Sequence, residues 1–212
     1  MNYKGIIFDL DGVICFTDKY HYQAWKKMAD DIDVYFDEKI NNRLRGVSRM
    51  ASLDIILERS DKEYSAQEKE LLATKKNEIY KTLLNQMTPK DLKKEVKDTM
   101  DELKKRGCRL ALGSSSKNAK FILERLGLDG YFDAISDGTN IIYSKPNPEV
   151  FLKAAEFLGL EPKDCLVVED ALAGIDAALA GGFDGAGIGE AAEHKDVTHS
   201  LKTFADLLNV VK

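Results

Sequence analysis

Residues 6–13 read IIFDLDGV, an apolar run that ends on two aspartates and a glycine. Two β-branched residues followed by a phenylalanine predict a short buried strand over residues 4–8. Asp9 and Asp11 come directly after that strand. A strand that carries carboxylates at its end is typical of an α/β protein whose site lies at one edge of its sheet.

The rest of the chain divides into two patterns. Residues 17–87 are almost wholly helical in pattern, with Ser48 placed to cap one helix and a capping box at Ser65. After them, short apolar strands alternate with helices that end at glycine. We therefore predict an α/β fold. Its core domain, residues 1–16 and 88–212, is a Rossmann-like, doubly wound parallel sheet, and the helical segment is an inserted α-helical cap domain.

The pattern of the core also places individual elements. Further strands are predicted at residues 108–112, 132–136, 164–168, 183–188 and 196–199. Helices are predicted at residues 117–126, 148–158 and 171–180. Strands that alternate with helices in this way predict a parallel sheet.

The composition indicates a folded protein without a general affinity for polyanions. The chain has 212 residues, 44% hydrophobic and 32% charged, with a net charge of -5. This balance argues against nucleic-acid and membrane partners. No stretch approaches the ~18 apolar residues of a membrane span, and Asp9 interrupts the first apolar run too early for a signal peptide. Cys15, Cys108 and Cys165 form no CxxC pair, which favours reduced thiols in a cytoplasmic protein.

Polar residues follow four of the apolar segments. They are Asp9 and Asp11, the run SSSKN at residues 114–118, Lys145, and the pair Glu169 and Asp170. Because parallel strands end along one edge of a sheet, we expect these groups to converge. Several carboxylates together repel one another unless a cation compensates them, and such oxygen ligands suit Mg²⁺. Ser114 and Lys145 would then bind and neutralise phosphate oxygens.

Each cluster taken alone has a plainer explanation. Asp9 and Asp11 can simply form a turn, and Ser114 can simply cap a helix. The occurrence of all the clusters at strand ends favours a functional site over these alternatives.

On these residues the chain resembles the haloacid dehalogenase superfamily. The resemblance is carried by DLDGV at residues 9–13, Ser114, Lys145, Glu169 and Asp170. It implies that Asp9 attacks phosphorus to form an aspartyl phosphate, and that Asp11 acts as the general acid and base. The implied Mg²⁺ ligands are Asp9, Asp11 through its backbone carbonyl, Asp170 and, beside them, Glu169.

Within that superfamily, the cap together with the core loop at residues 114–118 resembles the β-phosphoglucomutase family. The likeness is carried by YHYQAW at residues 20–25, GVSR at 46–49 and SKN at 116–118. The family interconverts β-D-glucose 1-phosphate and D-glucose 6-phosphate through glucose 1,6-bisphosphate, and its cap excludes water. Arg49 is the implied partner of the phosphate distant from Asp9, because a guanidinium matches phosphate bidentately.

The resemblance implies two sets of site residues. The catalytic set is Asp9, Asp11, Thr17, His21, Ser114 and Lys145. The substrate-binding set is Trp25, Gly46, Val47, Ser48, Arg49, Ser52, Lys76, Ser115, Ser116, Lys117 and Asn118. Plainer alternatives remain for three of them, with Arg49 as a solvated charge, Lys76 as a surface lysine and His21 as a packed core histidine.

Two other functions are compatible with the residues. A phosphatase of the same superfamily would let water discharge Asp9 and would hydrolyse a small sugar phosphate. A phosphorylation-dependent binding module would keep a stable phospho-Asp9 and would need neither Asp11 nor a cap. The resemblance itself favours a monomeric mutase that binds Mg²⁺ and a sugar phosphate.

Overall fold

The computed structural model of the chain describes residues 3–44 and 48–212. The chain divides into two compact units. The core unit comprises Met1–Phe16 and Thr88–Lys212, and the cap unit comprises Thr17–Met87. Gly46 and Val47, two of the implied substrate-binding residues, lie outside the described residues.

The described part of the cap unit is built from helices. They are α1 (Asp18–Asp30), α2 (Glu38–Asn42), α3 (Arg49–Leu57) and α4 (Ala66–Leu84). Ser48 caps α3 by accepting the Ala51 N–H at 3.3 Å. Ser65 caps α4 in a capping box, in which Glu68 also accepts the Ser65 N–H at 2.9 Å. Both caps predicted from the sequence are confirmed.

Apolar side chains of the cap unit form a core of their own. Its buried members are Trp25, Met28, Ala29, Val34, Phe36, Ile40, Leu44, Leu53, Ile56 and Ala73. Partly buried Tyr22 packs against this cluster, with its ring centroid 5.7 Å from that of Phe36. Burial of these side chains stabilises the helices, which would be marginal in isolation.

Six parallel strands form the sheet of the core unit. They are β1 (Gly5–Phe8), β2 (Arg109–Gly113), β3 (Ala134–Ser136), β4 (Cys165–Glu169), β5 (Asp184–Gly187) and β6 (His199–Ser200), in the order β3-β2-β1-β4-β5-β6. Ile7 of β1 pairs with Ala111 of β2 and Val167 of β4. The strand order changes direction at β1, and ligands of open α/β sheets bind at the carboxyl ends of the strands at such a point. The predicted parallel α/β sheet is confirmed.

Helices of the core unit cover the sheet. They are α5 (Lys94–Lys105), α6 (Ala119–Arg125), α7 (Glu149–Leu158), α8 (Leu172–Ala180) and α9 (Leu207–Val210), with 3-10 helices at Pro89–Asp91, Pro162–Asp164, Gly189–Glu193 and Phe204–Asp206. Ile7, Ala111 and Val167 share a buried cluster with residues of α7 and α8. Phe8 points to the other face, where its ring stacks on Phe204 at 5.7 Å. Within the described residues, no helix has both the length and the apolar character needed to cross a membrane.

The helix predicted at residues 117–126 starts later than expected. α6 begins at Ala119, because the Ser116 hydroxyl accepts the Asn118 N–H at 3.2 Å and holds this segment as a turn. Residues 117 and 118, which the pattern predicted as the start of the helix, therefore lie in this turn.

The last strand is also displaced from its predicted position at residues 196–199. Asp196 donates its N–H to His194 Nδ1, and Val197 donates its N–H to the His194 carbonyl, both at 3.1 Å. The N–H groups of Asp196 and Val197 are therefore bonded within this turn and cannot pair with a neighbouring strand. As a result, β6 begins at His199.

Ser65→Ala is expected to destabilise the cap unit, because it removes the acceptor of the Glu68 N–H and breaks the capping box. The typical cost is about 1 kcal/mol of unfolding free energy. Urea denaturation followed by circular dichroism measures it. Gln67→Ala, at an exposed position of the same helical turn, is the control and should change stability by less than about 0.5 kcal/mol. Equal losses in the two variants would show that the capping box adds nothing.

Candidate active site

The Lys145 ammonium bridges two buried carboxylates. Its Nζ donates to Asp9 Oδ1 and to Glu169 Oε1. Asp9 follows β1 and Glu169 ends β4, so two neighbouring central strands deliver these carboxylates. The Lys145 side chain is 8% exposed and that of Glu169 is 1% exposed. The low local dielectric therefore strengthens both ion pairs.

Glu169 is also held by the backbone that follows it. Its Oε2 accepts the N–H groups of Asp170 at 2.9 Å and Ala171 at 3.0 Å. A Cβ at Gly174 would lie 1.9 Å from the Glu169 carboxyl carbon, so α8 approaches this closely only because residue 174 has no side chain. Both oxygens of Glu169 are therefore engaged, one by Lys145 and the other by the backbone.

Asp170 lies against the turn that follows β1. A Cβ at Gly12 would lie 1.9 Å from Asp170 Oδ2, and Gly12 adopts a φ of +86°. The close approach and the positive φ both require glycine at this position. Gly12 N–H also donates to the Cys15 carbonyl at 2.7 Å, and Asp11 pairs with Cys15 in a short bridge. The DLDG stretch thus forms a tight turn that holds Asp9 beside Asp170.

Negative charge exceeds positive charge in this cluster. Ligand oxygens of Asp9, Glu169 and Asp170 lie within 4.8 Å of one another. Burial and the charge of Glu169 raise the pKa of Asp170 to about 7. Burial also raises the pKa of Asp9, against the attraction of Lys145. Burial lowers the pKa of Lys145, but the charges of Asp9 and Glu169 raise it by more. The pKa of Lys145 is therefore above its usual value, and the ammonium stays charged.

The donor set fits a divalent cation. Its donors are all carboxylate oxygens, which Mg²⁺ prefers, and they are close enough to share one ion. A bound cation would remove the repulsion that raises the pKa of Asp170. Because Glu169 is engaged elsewhere, Asp9 and Asp170 are the carboxylates best placed to hold it.

The loop after β2 carries the implied phosphate-binding residues. Ser114 is 3% exposed, and its hydroxyl accepts the Ser116 N–H at 3.2 Å. Asn118 is buried and donates its N–H to Ser116, whereas the Lys117 side chain is exposed. Across residues 3–44 and 48–212, Ser115 Oγ is the one buried side-chain nitrogen or oxygen without a hydrogen-bond partner. Such an orphaned hydroxyl is a candidate hydrogen-bond donor to a ligand or water.

The cap unit holds a separate polar cluster around His21. His21 Nδ1 lies 2.9 Å from Lys76 Nζ, and its ring packs 4.1 Å from that of Tyr80. Lys76 is 3% exposed and lies 4.6 Å from the ring centres of both Trp25 and Tyr80, so the plainer alternative of a surface lysine is wrong. Burial and the charge of Lys76 lower the pKa of His21, which keeps the imidazole neutral. Tyr80 donates to Thr17 Oγ1 at 3.0 Å.

Arg49 is the first residue of α3 and is half-buried. Its Nη2 donates to Asn77 Oδ1 at 2.9 Å, and burial lowers the pKa of the guanidinium. No carboxylate in the described part of the chain forms an ion pair with it. Ser48 caps the same helix and is exposed, whereas Ser52, one turn later, is buried. Arg49 therefore has a neutral partner and an uncompensated charge.

The sequence did not point to two side chains that support these groups. Tyr80 packs on His21 in the cap unit, and Phe151 lies under Lys145 in the core unit, with its ring centre 4.7 Å from Nζ. A signal for Tyr80 was present, since it follows Lys76 at a spacing of four on one helix. Phe151 has the pattern of an ordinary core residue, and nothing local distinguishes it.

A family model for haloacid dehalogenase-like hydrolases matches residues 3–182. The chain belongs to this family. The predicted resemblance to the haloacid dehalogenase superfamily is confirmed. Enzymes of the family use Mg²⁺, and the acidic cluster at Asp9, Glu169 and Asp170 is present here.

Individual relatives have two kinds of activity. The chain is 42% identical over 189 residues to a β-phosphoglucomutase of Bacillus subtilis, which covers 88% of this chain and 84% of that protein. It is 35% identical over 185 residues to a fructose-1-phosphate phosphatase of Escherichia coli, with coverage of 86% and 94%. The crystal structure of a β-phosphoglucomutase from Clostridium difficile superposes with a TM-score of 0.84 at 37% identity, covering 98% of this chain and 99% of that one. The chain is therefore an enzyme of the phosphoryl-transferring kind.

Asp170→Asn is expected to stabilise the metal-free protein at pH 8 by about 1 kcal/mol, because it removes a charge that burial and Glu169 oppose. The pKa of Asp170 is raised in the folded protein, so that protein binds more protons than the unfolded chain between about pH 4 and 7. Wild-type stability without Mg²⁺ should fall as the pH rises through this window, and the variant should lose less. Urea denaturation at pH 5 and pH 8 measures both.

The same denaturation experiment is repeated with added Mg²⁺. The ion should stabilise the wild type at pH 8 and act far less on Asp170→Asn. Asp129→Asn, at an exposed position of the core unit, is the control and should respond to Mg²⁺ as the wild type does. Equal stabilisation of Asp170→Asn would place the cation elsewhere.

Proposed function

We propose that the protein is a β-phosphoglucomutase, which interconverts β-D-glucose 1-phosphate and D-glucose 6-phosphate through glucose 1,6-bisphosphate. The observation that carries the phosphoryl-transfer chemistry is the buried pairing of Lys145 with Asp9 and Glu169. The 42% identity to a β-phosphoglucomutase supports the mutase assignment over hydrolysis.

The chemistry begins at Asp9. One carboxylate oxygen of Asp9 forms a bond to the phosphorus of glucose 1,6-bisphosphate, and the bond from phosphorus to the sugar oxygen breaks. Asp11 gives its proton to the leaving sugar oxygen and later takes a proton from the sugar hydroxyl that attacks phospho-Asp9. Asp9, Asp170 and the Asp11 carbonyl would hold a Mg²⁺ ion, which would supply charge neutralisation for the phosphoryl group.

Lys145 and the loop after β2 stabilise the transferring group. Lys145 presents a permanent charge to phosphoryl oxygens, and its contacts with Asp9 and Glu169 fix it in place before the reaction. The Ser114 hydroxyl can donate to a phosphoryl oxygen while it still accepts the Ser116 N–H. The orphaned Ser115 hydroxyl is a further donor.

Residues of the cap unit recognise the sugar phosphate. Arg49, whose charge no described carboxylate compensates, binds the phosphate that is not being transferred. Neutral His21 and charged Lys76 hydrogen-bond the sugar hydroxyls. Ordering of these groups by the sugar phosphate favours transfer to a sugar hydroxyl over transfer to water.

A sugar phosphate phosphatase is the second candidate, and the 35% identity to a fructose-1-phosphate phosphatase supports it. Such an enzyme would use the same Asp9, Asp11 and Lys145 and would differ in the acceptor. A phospho-Asp binding module is less well supported, because it would not require the polar cluster of the cap unit.

We further infer that the enzyme is a cytoplasmic monomer. Its three cysteines are free and buried, which suits a reducing compartment.

Parallel measurement of glucose 6-phosphate and free phosphate tests the proposal. The enzyme receives β-glucose 1-phosphate, Mg²⁺ and a trace of glucose 1,6-bisphosphate. Glucose 6-phosphate should form with little free phosphate, and Asp9→Asn should lower the rate by on the order of 10⁴-fold. Free phosphate without glucose 6-phosphate would establish the phosphatase instead. Substantial turnover by Asp9→Asn would exclude Asp9 as the nucleophile.

Arg49→Ala is expected to lower kcat/KM for the mutase reaction by about 10- to 100-fold, the worth of charge-assisted hydrogen bonds to one phosphate. Arg59→Ala removes an exposed arginine of the same unit and serves as the matched control. Hydrolysis of acetyl phosphate, which has no second phosphate, should be nearly unaffected in both variants. An Arg49→Ala enzyme with wild-type mutase kinetics would place the second phosphate elsewhere.

A further inference from the structure

In the loop that carries Lys145, Ile141 packs against the core cluster, but the two residues after it are not held by packing of their side chains. Between β3 and Lys145, Ile142 is 82% exposed and Tyr143 is 61% exposed. Lys145 itself reaches into the cluster and is almost fully buried. The backbone at residues 142 and 143 therefore needs a contact other than side-chain packing if the ammonium is to meet Asp9 and Glu169 with the same geometry in each molecule.

The Glu149 carboxylate supplies that contact. It belongs to the first residue of α7, and its Oε2 accepts the N–H groups of Ile142 at 2.9 Å and Tyr143 at 2.8 Å. These backbone bonds and the ion pair with Lys153 hold the pKa of Glu149 below its usual value, so the acceptor stays charged. A single side chain thus fixes two consecutive peptide groups shortly before Lys145.

Further bonds extend this hold along the loop. Lys153, one turn further along α7, pairs with Glu149 Oε1 at 3.1 Å and donates to the carbonyl of Asn140. Asn147 N–H donates to the Ser144 carbonyl at 3.1 Å, and the Glu149 N–H donates to Asn147 Oδ1 at 3.0 Å. The loop is therefore hydrogen-bonded on both sides of Lys145.

The same helix also supports the ammonium directly. The Phe151 ring centre lies 4.7 Å from Lys145 Nζ, within the range of a cation–π contact. Phe151 is fully buried, and a Cβ at Gly113 would lie 2.7 Å from one of its ring carbons. The absence of a side chain at Gly113 thus leaves room for the ring beneath Lys145.

We propose that Glu149 is a positioning residue for phosphoryl transfer, which acts through the backbone of residues 142 and 143 to place Lys145. This role rests on the phosphoryl-transfer part of the proposed function. Within the described residues, Glu149 forms no hydrogen bond or ion pair with Asp9 or Glu169, and its bonds to Ile142 and Tyr143 link it to the loop that carries Lys145. Glutamine at position 149 retains a carbonyl acceptor for both N–H groups, whereas alanine retains none.

The rate of acetyl phosphate consumption with Mg²⁺ tests this role, because either a mutase or a phosphatase would react with this donor at Asp9. Glu149→Ala should slow consumption about 10-fold, corresponding to about 1.4 kcal/mol. Glu149→Gln should stay within about threefold of the wild type. Glu156→Ala, at an exposed position of the same helix, is the matched control and should react at the wild-type rate.

A double-mutant cycle separates positioning from general destabilisation. If Glu149 acts through Lys145, Glu149→Ala should cost nothing further in a Lys145→Ala background. Thermal melting is recorded for every variant. Equal fractional losses in both backgrounds, or a Glu149→Ala enzyme with wild-type rate and a lowered Tm, would overturn the proposal.

A replacement variant and a second product assay cover the remaining outcomes. If Glu149→Ala does not fold, Glu149→Asp replaces it, since its carboxylate is one methylene too short to keep both bonds, and the same losses are expected. If the wild type consumes acetyl phosphate but makes no glucose 6-phosphate, the mutase assignment fails while the role of Glu149 is still tested.

Discussion

One buried ammonium shared by two carboxylates is the constraint on which the site depends. Lys145 pairs with Asp9 and Glu169 where water is nearly absent. Removal of Lys145 would leave two buried carboxylates without their cationic partner, and breaking a buried ion pair in this way typically costs 3–5 kcal/mol. The surrounding structure serves this arrangement. Two backbone amides hold Glu169, a ring supports Lys145, and α8 approaches through Gly174.

The sheet topology explains how distant parts of the chain supply this group. β1 lies between β2 and β4, so Asp9 and Glu169 leave the sheet side by side. Asp170, next along from Glu169, meets the turn after β1 only because Gly12 lacks a side chain. The excess of negative charge that results is a property of this convergence, and it is what makes a divalent cation a fitting partner.

Much of this could be predicted from the sequence, because strong local patterns coincide with the tertiary structure. Apolar strands that end in charged residues predicted both the parallel sheet and the meeting of Asp9 with Lys145. Other features required three-dimensional information. Lys76 lies in a helix rich in charge, yet it is buried against two aromatic rings. Glu149 at the start of a helix is explained equally well by the helix dipole, and only the folded loop shows which N–H groups it accepts.

The central position of β1 also has a consequence for biosynthesis. This strand leaves the ribosome first, but its partner residues in β2 begin at Arg109 and those in β4 begin at Cys165. The whole cap unit is translated in the interval, and it has an apolar core of its own on which to fold. Until β2 and then β4 emerge, an apolar segment with unpaired backbone groups must be kept from other chains. The central position of β1 brings Asp9 close to Glu169 in the folded enzyme. For the same reason, β1 cannot complete its pairing in the nascent chain until β2 and β4 have been synthesised.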